Sequence, residues 1–401
     1  MSTPPQLPRL FAAPDASLNA HLATFGELPA LGSGLVALLD DAGLTGRGGA
    51  GFPAGRKMAS IIGAKSVIVG NGAEGEPLSR KDTQLLTRAP HLVFDGLDAA
   101  AAAVEADKAY LYVHPDAIPT AKSALDERRA AGLDVHRVEM VEAPDRFVAG
   151  EESAAIRHIQ GGPALPRDRT VPAAVSGVKG RPTLVNNVET LAHMALIARF
   201  GPQWFRAVGE PADPGTMLVT LSGALERHGV VEVPTGTGLA GLLENTGGAD
   251  PRSVAAVLIG GYHGTWLPAT DVAGTRLSRP GLKALGGSPG AGILHVLGTG
   301  ECGLSRTADI ARYLAEQSAL QCGPCLNGLP RLAELLDRLA HGHFDERLPA
   351  EIQRMAHLVD GRGSCRHPDG TARMIRSALR TFGADIDMHR QKRCIAAEAV
   401  A

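Results

Sequence analysis

Residues 43–58 read GLTGRGGAGFPAGRKM, with glycine at positions 46, 48, 49 and 51 and a lysine at 57. Glycines at this density let the backbone approach a ligand closely and direct several N–H groups at one anion. No Gly-Lys-Ser/Thr follows at the spacing of a P-loop, and the segment precedes the first clear strand, unlike a dinucleotide fingerprint. The segment therefore predicts an anion-binding loop of another kind, with a flexible surface turn as the alternative.

Strands and helices alternate on the C-terminal side of this loop. The β-branched run SVIVGNG (66–72) predicts a strand that ends in a turn. Further along, the pattern predicts helices over 90–105 and 118–131 and strands at AYLYV (109–113) and VHRVEMV (135–141). This alternation predicts an α/β domain whose helices pack on a sheet.

The pattern changes near residue 215. MLVTLSG (217–223) and GVVEVPTG (229–236) predict a hairpin, and VAAVLIGGY (254–262) predicts a buried strand of a small α+β module. The stretch 275–292 is rich in Gly, Pro and Ser and predicts a linker. From about 305 to 380, apolar residues recur at i, i+3 and i+4, which predicts a helical bundle.

Composition excludes several classes of protein. Of 401 residues, 44% are hydrophobic and 20% charged, which is typical of a folded domain. The formal charge of −2 gives no field that would favour nucleic acid or anionic lipid. Five cysteines are too few, and odd in number, for a disulfide framework. The N-terminus lacks the pattern of a signal peptide, and no apolar run approaches the ~20 residues of a membrane span. We expect a cytoplasmic protein.

Three polar clusters lie near predicted strand ends or turns, where open α/β sheets bind ligands. Each cluster by itself is more typical of a solvated turn or a helix cap than of a ligand site. The clusters are Asn71, Glu74, Glu76, Lys81 and Asp82; Gly150, Glu151 and Glu152; and Asn186, Asn187 and Glu189.

Taken together, four segments resemble a known family. GRGGAGFPAGRK (46–57), NGAEGEPLSRKD (71–82), GEESAAIRHIQGG (150–162) and KGRPTLVNNVET (179–190) occur in the order and spacing of the flavoprotein, NADH-binding subunit of respiratory complex I. They are also similar to the matching subunits of NAD-linked hydrogenases and formate dehydrogenases. The resemblance covers about 43–370.

The resemblance implies a fold of class α/β with several parts. An N-terminal lead-in (1–30) would precede an FMN/NADH-binding α/β domain (31–215). A ubiquitin-like β-grasp module (216–275), of the soluble-ligand-binding type, and a linker (276–300) would follow. A C-terminal helical bundle of the iron–sulfur type (301–395) would complete the chain.

Carried over by position, the resemblance also implies the site residues. Phe52, Glu76 and Glu152 would lie on the nicotinamide side, the two glutamates with catalytic roles. The cofactor-binding loop would include Arg47, Gly49 and Gly51. The residues around FMN would be Gly46, Gly48, Lys57, Asn71, Glu74, Gly150, Glu151, Asn186 and Asn187.

Several positions depart from the family pattern. Ala73 replaces an aspartate that accepts from the flavin's ribityl hydroxyls, and Phe147 replaces a tyrosine. Ser60 and Val171 stand where the family has aromatic rings that stack on NADH. Losing two stacking partners, at about 0.5–1.5 kcal/mol each, predicts dinucleotide binding weaker by roughly ten-fold or more.

The cysteines predict a metal site. Cys322-Gly-Pro-Cys325 could be a redox dithiol, but the preceding residues are helical by pattern rather than a strand. The context resembles the family's cluster-binding segment, with Cys365 as the distant ligand and Ala319 in place of the first cysteine. This implies a 4Fe-4S or 3Fe-4S cluster whose fourth ligand could be Cys302, Gln321, His367 or water.

Two alternatives for the cysteines stay open. A zinc site formed by Cys322, Cys325, Cys365 and His367 is chemically feasible. Cys302 and Cys394 otherwise have the character of small apolar core residues.

The sequence thus predicts flavin- and iron–sulfur-dependent electron transfer, from NADH to FMN to the cluster and on to a partner protein. A ferredoxin-like partner is expected, with neither nucleic acid nor direct membrane insertion. Two alternatives remain: a degenerate family member that acts as a scaffold or regulator, and a soluble-ligand-binding protein that works through its β-grasp module. The departures at 60, 73, 147, 171 and 319 favour the first of these alternatives.

Overall fold

The computed structural model describes residues 6–61, 65–168, 171–341 and 345–399. The chain divides into two compact units, one formed by 1–219 with 230–236 and the other by 220–229 with 237–401. No helix in these ranges is long and apolar enough to cross a bilayer.

The first unit is an α/β domain. Its strands are β1 (Val67–Gly72), β2 (Lys108–Val113), β3 (Glu139–Glu142), β4 (Thr183–Asn187), β5 (Gly209–Glu210) and β6 (Asp213–Pro214). Its helices are α1 (Leu18–Phe25), α2 (Gly34–Ala42), α3 (Ala54–Ala59), α4 (Lys81–Arg88), α5 (Pro90–Ala103), α6 (Ile118–Ala130), α7 (Glu152–Ile159) and α8 (Val188–Arg206).

Among the described residues, β1 to β4 form a parallel sheet in the order β3-β2-β1-β4. Apolar side chains cover both of its faces, as parallel sheets require. Ile68 joins the core formed with α4, α5 and α8, whereas Val67 and Val69 join the core on the face of α7. This alternation follows from the two-residue repeat of a strand, and the predicted α/β domain is confirmed.

Helix α8 packs very closely against α5. A Cβ atom on Gly96 would lie 2.1 Å from the carbonyl oxygen of Leu191, so only glycine allows this contact. The packing matters for the site because α8 begins directly after β4, with Asn187 as its N-cap residue.

The N-terminal segment differs from the predicted lead-in of 1–30. Residues 1–5 lie outside the described residues, but α1 forms over Leu18–Phe25, and Leu10 and Phe25 are buried in the core of the first unit. The segment has few apolar residues at helical spacing, so its helix depends on long-range packing that periodicity does not reveal. The third predicted strand is also shifted, because β3 covers Glu139–Glu142 instead of 135–141.

The division between the units cuts β7 (Thr216–Gly223) and β8 (Gly229–Pro234). The second unit continues with strands β9 (Thr237–Gly238), β10 (Val254–Ile259), β11 (Thr265–Pro268), β12 (Arg276–Leu277) and β13 (Ile293–Gly298). Its described helices are α9 (Leu239–Gly241), α10 (Ala269–Val272), α11 (Arg279–Lys283), α12 (Gly303–Glu316), α13 (Leu329–Ala340), α14 (Leu348–Val359), α15 (His367–Thr381), α16 (Gly383–Arg390) and α17 (Ile395–Ala399).

The segment 276–300 is not simply a linker. Strand β13 pairs antiparallel with β10 and parallel with β7, which places it inside the sheet β11-β10-β13-β7-β8. The Gly- and Pro-rich residues before it suggest a linker, but the run from Ile293 to Leu297 is almost fully buried, with His295 as its polar member. The predicted C-terminal helices are present as α12 to α15.

Candidate functional site

The predicted site residues of the first unit gather at the carboxyl ends of two neighbouring strands. Asn71 in β1 is in register with Asn187 in β4, and Gly70 is in register with Asn186. Chain order reverses here, because β1 continues to β2 and β3 on one side while β4 lies on the other. Ligands of open α/β sheets bind at such a switch point.

The glycine loop closes on itself beside this edge. The backbone N–H of Gly46 donates to the carbonyl of Phe52 at 2.9 Å. Within the loop, Gly49 and Gly51 have φ values of 108° and 65°, which side chains rarely allow. A Cβ atom on Gly48 would lie 3.1 Å from the Cβ of Asn187, so the loop lies directly against the end of β4. Phe52 is 53% exposed at the end of the loop.

Arg47 differs from its neighbours, because its side chain is buried away from the loop surface. Its backbone N–H donates to Thr190 Oγ1 at 2.9 Å, and its Nη2 donates to the carbonyl of Pro214 at 3.0 Å. Its Nη1 also lies 3.5 Å from Asp213 Oδ1. These contacts anchor the loop to α8 and to β6, so the guanidinium is engaged in holding the loop in place.

Lys57 lies across the end of β4. Its Nζ donates to the carbonyl of Val185 at 2.6 Å and to Glu152 Oε1 at 2.9 Å. The side chains of Lys57 and Glu152 are 31% and 41% exposed, so both retain access to solvent. A cation and a carboxylate are thus paired where the strand ends.

Glu151 and Asn71 order the turn before α7. Glu151 accepts from the backbone N–H groups of Ser153 and Ala154 as the N-cap of α7. Asn71 Nδ2 donates to the carbonyl of Gly150 at 2.9 Å, which joins β1 to this turn. Both side chains are therefore engaged with the backbone around the site.

Glu74 caps the next helix in a similar way. Its carboxylate accepts from Ser79 Oγ at 2.6 Å and from the backbone N–H groups of Asp82 and Thr83, each at 3.0 Å. Glu76 is half-buried in the same loop. The carboxylate of Glu74 therefore shapes the site by ordering the loop after β1 and the start of α4.

Asn186 has a polar atom with no partner in the described part of the chain. The residue is only 6% exposed, and its Nδ2 is buried without a hydrogen-bond acceptor. A buried donor left unpaired costs about 1–3 kcal/mol. The amide therefore has the character of a group whose acceptor comes from a ligand.

A buried ionic network supports Asn187. Its Nδ2 donates to Asp82 Oδ2 at 2.6 Å, and its Oδ1 accepts from the N–H of Glu189 and from Lys81 Nζ. Lys81 Nζ also lies 2.6 Å from Asp82 and 3.0 Å from Glu189. The network thereby joins the start of α4 to the start of α8.

The pKa values in this network diverge. Burial raises the pKa of Asp82 to about 7, and Glu74 and Glu189 add to this despite the opposing charge of Lys81. Burial would raise the pKa of Glu189 as well, but Lys81 and His193 lower it to about 2. Burial opposes the charge on Lys81, yet the two carboxylates hold the pKa of Lys81 above its usual value.

The predicted metal ligands lie in the second unit. Cys325 is in a turn of π-helix, Pro324–Gly328, and is 1% exposed. Burial raises the pKa of Cys325 to about 12, with further contributions from the adjacent Cys322 and Cys365 thiols. Cys322 and Cys365 are thus near enough to Cys325 to influence its thiol, and the role of the three as cluster ligands stays a prediction. A buried thiol such as that of Cys325 releases its proton readily only to a bound cation.

His367 is not available as a fourth ligand in this conformation. Its Nε2 donates to the carbonyl of Leu314 at 2.7 Å, and its Nδ1 lies 3.1 Å from Nε2 of His263. Cys302 has a different neighbour, with its Sγ 3.6 Å from Nε2 of His389. The pairing of Cys302 with His389 has no recognisable signature in the sequence.

Comparisons with known proteins match two parts of the chain to family domains. The model of the Nuo51 FMN-binding domain matches residues 39–196, and that of the NADH-ubiquinone oxidoreductase-F iron-sulfur binding region matches residues 305–389.

Two relatives illustrate the similarity. An NADH-quinone oxidoreductase F subunit of Rhizobium meliloti (strain 1021) is 30% identical over 383 residues, covering 90% of this chain and 90% of the relative. The NADP-reducing hydrogenase subunit HndC of Solidesulfovibrio fructosivorans is 30% identical over 372 residues, covering 88% of this chain and 76% of the relative.

A solved structure is also similar. The fold matches a chain of an NAD+-reducing NiFe hydrogenase in the H2-reduced state with a TM-score of 0.82 and 29% identity. The match covers 90% of this chain and 63% of the hydrogenase chain.

Proposed function

Because this chain belongs to the family of the NADH-quinone oxidoreductase F subunits and related hydrogenase subunits, we propose that it passes electrons from a reduced nicotinamide dinucleotide to a partner protein. The chain is an oxidoreductase subunit with an FMN-binding domain and an iron–sulfur region.

The unpartnered amide of Asn186 is the observation that carries the flavin assignment. Its buried Nδ2 lies at the switch point of the parallel sheet, and the glycine loop contacts the next residue of the strand, Asn187. A flavin offers carbonyl, hydroxyl and phosphate oxygens that would accept from this amide and from the backbone N–H groups of the loop. The residues present therefore fit FMN.

Each element of the site contributes a different interaction. The loop around Gly48 would present backbone N–H groups to the ligand, and Lys57 would supply a positive charge. Asn71, Glu74 and Glu151 would act indirectly, by ordering the turns around the ligand. FMN supplies the ability to accept a hydride and to release electrons one at a time.

Two solvent-exposed side chains support dinucleotide binding beside the flavin site. Phe52 is 53% exposed and offers an aromatic face to a ring. Glu152 is held by Lys57 with 41% of its side chain exposed, where its carboxylate can orient a polar group of the nicotinamide. With Ser60 and Val171 also exposed but not aromatic, we expect weak binding of NADH.

The thiols of Cys322, Cys325 and Cys365 would hold the iron–sulfur cluster. They fit three of the four positions of a cubane, and Ala319 leaves the fourth to a non-cysteine ligand or water. His367 would have to break two hydrogen bonds to serve. Water or Gln321, which is exposed, is the simpler choice.

A protein partner is supported by the relatives, which are named as subunits of larger enzymes. We propose a ferredoxin-like protein as the acceptor, because a one-electron cluster donates readily to another one-electron centre.

Absorbance spectroscopy of the purified protein, with and without added FMN, tests the proposal. Bound flavin with broad sulfur-to-iron absorption is the expected result. A protein that stays colourless after addition of FMN and anaerobic reconstitution would contradict it.

A further inference from the structure

We propose that Cys302, His389 and Cys394 form a structural zinc site, separate from the cluster cysteines. Their Sγ, imidazole nitrogen and Sγ atoms all lie within 4.8 Å of one another. Cys302 immediately precedes α12, His389 is in the last turn of α16, and Cys394 immediately precedes α17. Two thiolates and one imidazole are a ligand set that zinc favours.

The histidine is oriented for metal binding. Its Nδ1 lies 3.2 Å from the carbonyl oxygen of Leu339, which can only accept, so Nδ1 carries the proton. Nε2 then presents a lone pair toward Cys302, whose Sγ is 3.6 Å away. Metal-bound histidines commonly donate their other N–H to a carbonyl in this way. The residue is 6% exposed, so its ring is held in place by packing.

Cys302 lies at the N-terminus of a long helix. It is the N-cap residue of α12, a helix of 14 residues, so its sulfur lies at the positive end of the helix dipole. The positive end of this helix would support a metal-bound thiolate from outside the coordination shell.

Asp385 supplies a second, independent indication of a cation. It precedes His389 by four residues in α16, so the two side chains share one face of the helix. Its Oδ1 is buried and has no hydrogen-bond partner within the described ranges.

An orphaned buried carboxylate oxygen one helical turn from His389 fits a positively charged occupant nearby. Asp385 is not among the three residues grouped within 4.8 Å. It would therefore complete a tetrahedral shell after a side-chain rotation, or bind through a water molecule. A closed shell of four ligands is the arrangement of structural zinc sites.

The site would join the C-terminal segment to the helical bundle. Cys302 belongs to the start of α12, and the ring of His389 is fixed by the end of α13 through Leu339. Zinc would therefore hold α16 and the residues before α17 against two other helices. This also assigns Cys302 to a group other than the cluster, for which it would otherwise be a candidate fourth ligand.

Zinc analysis and zinc X-ray absorption of the purified, unmodified protein test the proposal directly. We expect about one zinc per chain, with sulfur neighbours at about 2.3 Å and nitrogen or oxygen at about 2.0–2.2 Å. An absence of zinc after growth in zinc-containing medium, or a zinc shell of oxygen and nitrogen only, would overturn the assignment. So would a Cys302–Cys394 disulfide found by mass spectrometry under non-reducing conditions.

Paired variants separate this site from the cluster. Cys394→Ala should lose zinc and keep its iron, whereas Cys322→Ala should lose iron and keep its zinc. His389→Ala should lose zinc. His357 is an exposed histidine of α14, so His357→Ala serves as the control and should retain zinc. Loss of zinc from Cys322→Ala, with retention in Cys394→Ala, would place the metal at the cluster cysteines and refute the proposal.

Discussion

Lys57 Nζ lies 2.9 Å from Glu152 Oε1 and also donates to the carbonyl of Val185, two residues before the end of β4. The ammonium is thereby positioned at the end of a strand, where it can interact with an anionic ligand. We expect Lys57→Ala to weaken FMN binding by about 1.5–3 kcal/mol, the range for a hydrogen bond to a charged group. Flavin titration followed by fluorescence measures this change.

Arg56→Ala is the matched control, since Arg56 is the neighbouring cation of α3 and is exposed. Its FMN affinity should be close to that of the unmodified protein. An equal loss in both variants would point to general electrostatics, and no loss in Lys57→Ala would remove the lysine from the site.

Asn186→Leu separates a ligand-binding role from a structural one. Because Asn186 Nδ2 makes no hydrogen bond among the described residues, leucine removes a buried donor that lacks a partner. The free energy of unfolding of the FMN-free protein should stay unchanged or rise, while FMN affinity falls by roughly ten-fold. Urea unfolding and FMN titration measure the two effects. A large loss of stability with unchanged FMN affinity would show that the amide supports only the fold.

Restoring aromatic residues should improve the use of NADH. Ser60 and Val171 are both exposed, so Phe at each position can be accommodated without disturbing a core. The double variant should bind NADH about ten-fold more tightly, from about 0.5–1.5 kcal/mol per stacked ring. Steady-state assays with an artificial electron acceptor would reveal this as a lower Michaelis constant. Val175→Phe, at another exposed valine, should have no effect.

Ala319→Cys should complete the cluster site. The substitution supplies a thiol at the position where the family pattern has one, so the variant should retain all four irons after exposure to mild oxidant. The unmodified protein should lose one iron readily, which electron paramagnetic resonance detects as a three-iron cluster. Glu316→Cys, on an exposed position of α12, should behave like the unmodified protein. Four equally stable irons in the unmodified protein would mean that another residue already supplies the ligand.

The raised pKa of Asp82 predicts a pH effect on stability. The folded protein holds this proton up to about pH 7, whereas the unfolded chain releases it near the ordinary value of 3.8. Between these values the folded state binds more protons than the unfolded chain. The contribution of this proton to the free energy of unfolding is therefore present at low pH and is lost as pH rises toward 7. Asp82→Asn lacks that contribution at every pH. Its stability relative to the unmodified protein should therefore rise by about 1 kcal/mol or more from about pH 4.5 to about pH 7.5. A difference that is independent of pH would contradict the assignment.

The location of the flavin site follows from local sequence to a large extent. Glycines, strand ends and helix caps are short-range signals, and the segments around Asn71 and Asn186 meet because parallel strands share one edge. The separate roles of these residues are not visible in sequence. Arg47 stands in the glycine loop, yet its side chain is paired with Asp213, and that choice depends on packing between distant segments.

Two other features that the sequence does not reveal also depend on packing between distant segments. Strand β13 follows a Gly- and Pro-rich stretch, so composition suggests a linker where the sheet supplies neighbours on both sides. Cys302 and Cys394 each stand alone in sequence without a spacing typical of a metal site. Their meeting with His389 results from the way α12, α16 and the segment before α17 pack.

Anaerobic reconstitution, followed by counts of FMN, iron and sulfide on one sample, tests the electron-transfer assignment most directly. We expect about one FMN per chain together with about three to four irons and a matching amount of sulfide, and loss of the iron alone in Cys325→Ala. A folded protein that retains neither FMN nor iron under these conditions would contradict it.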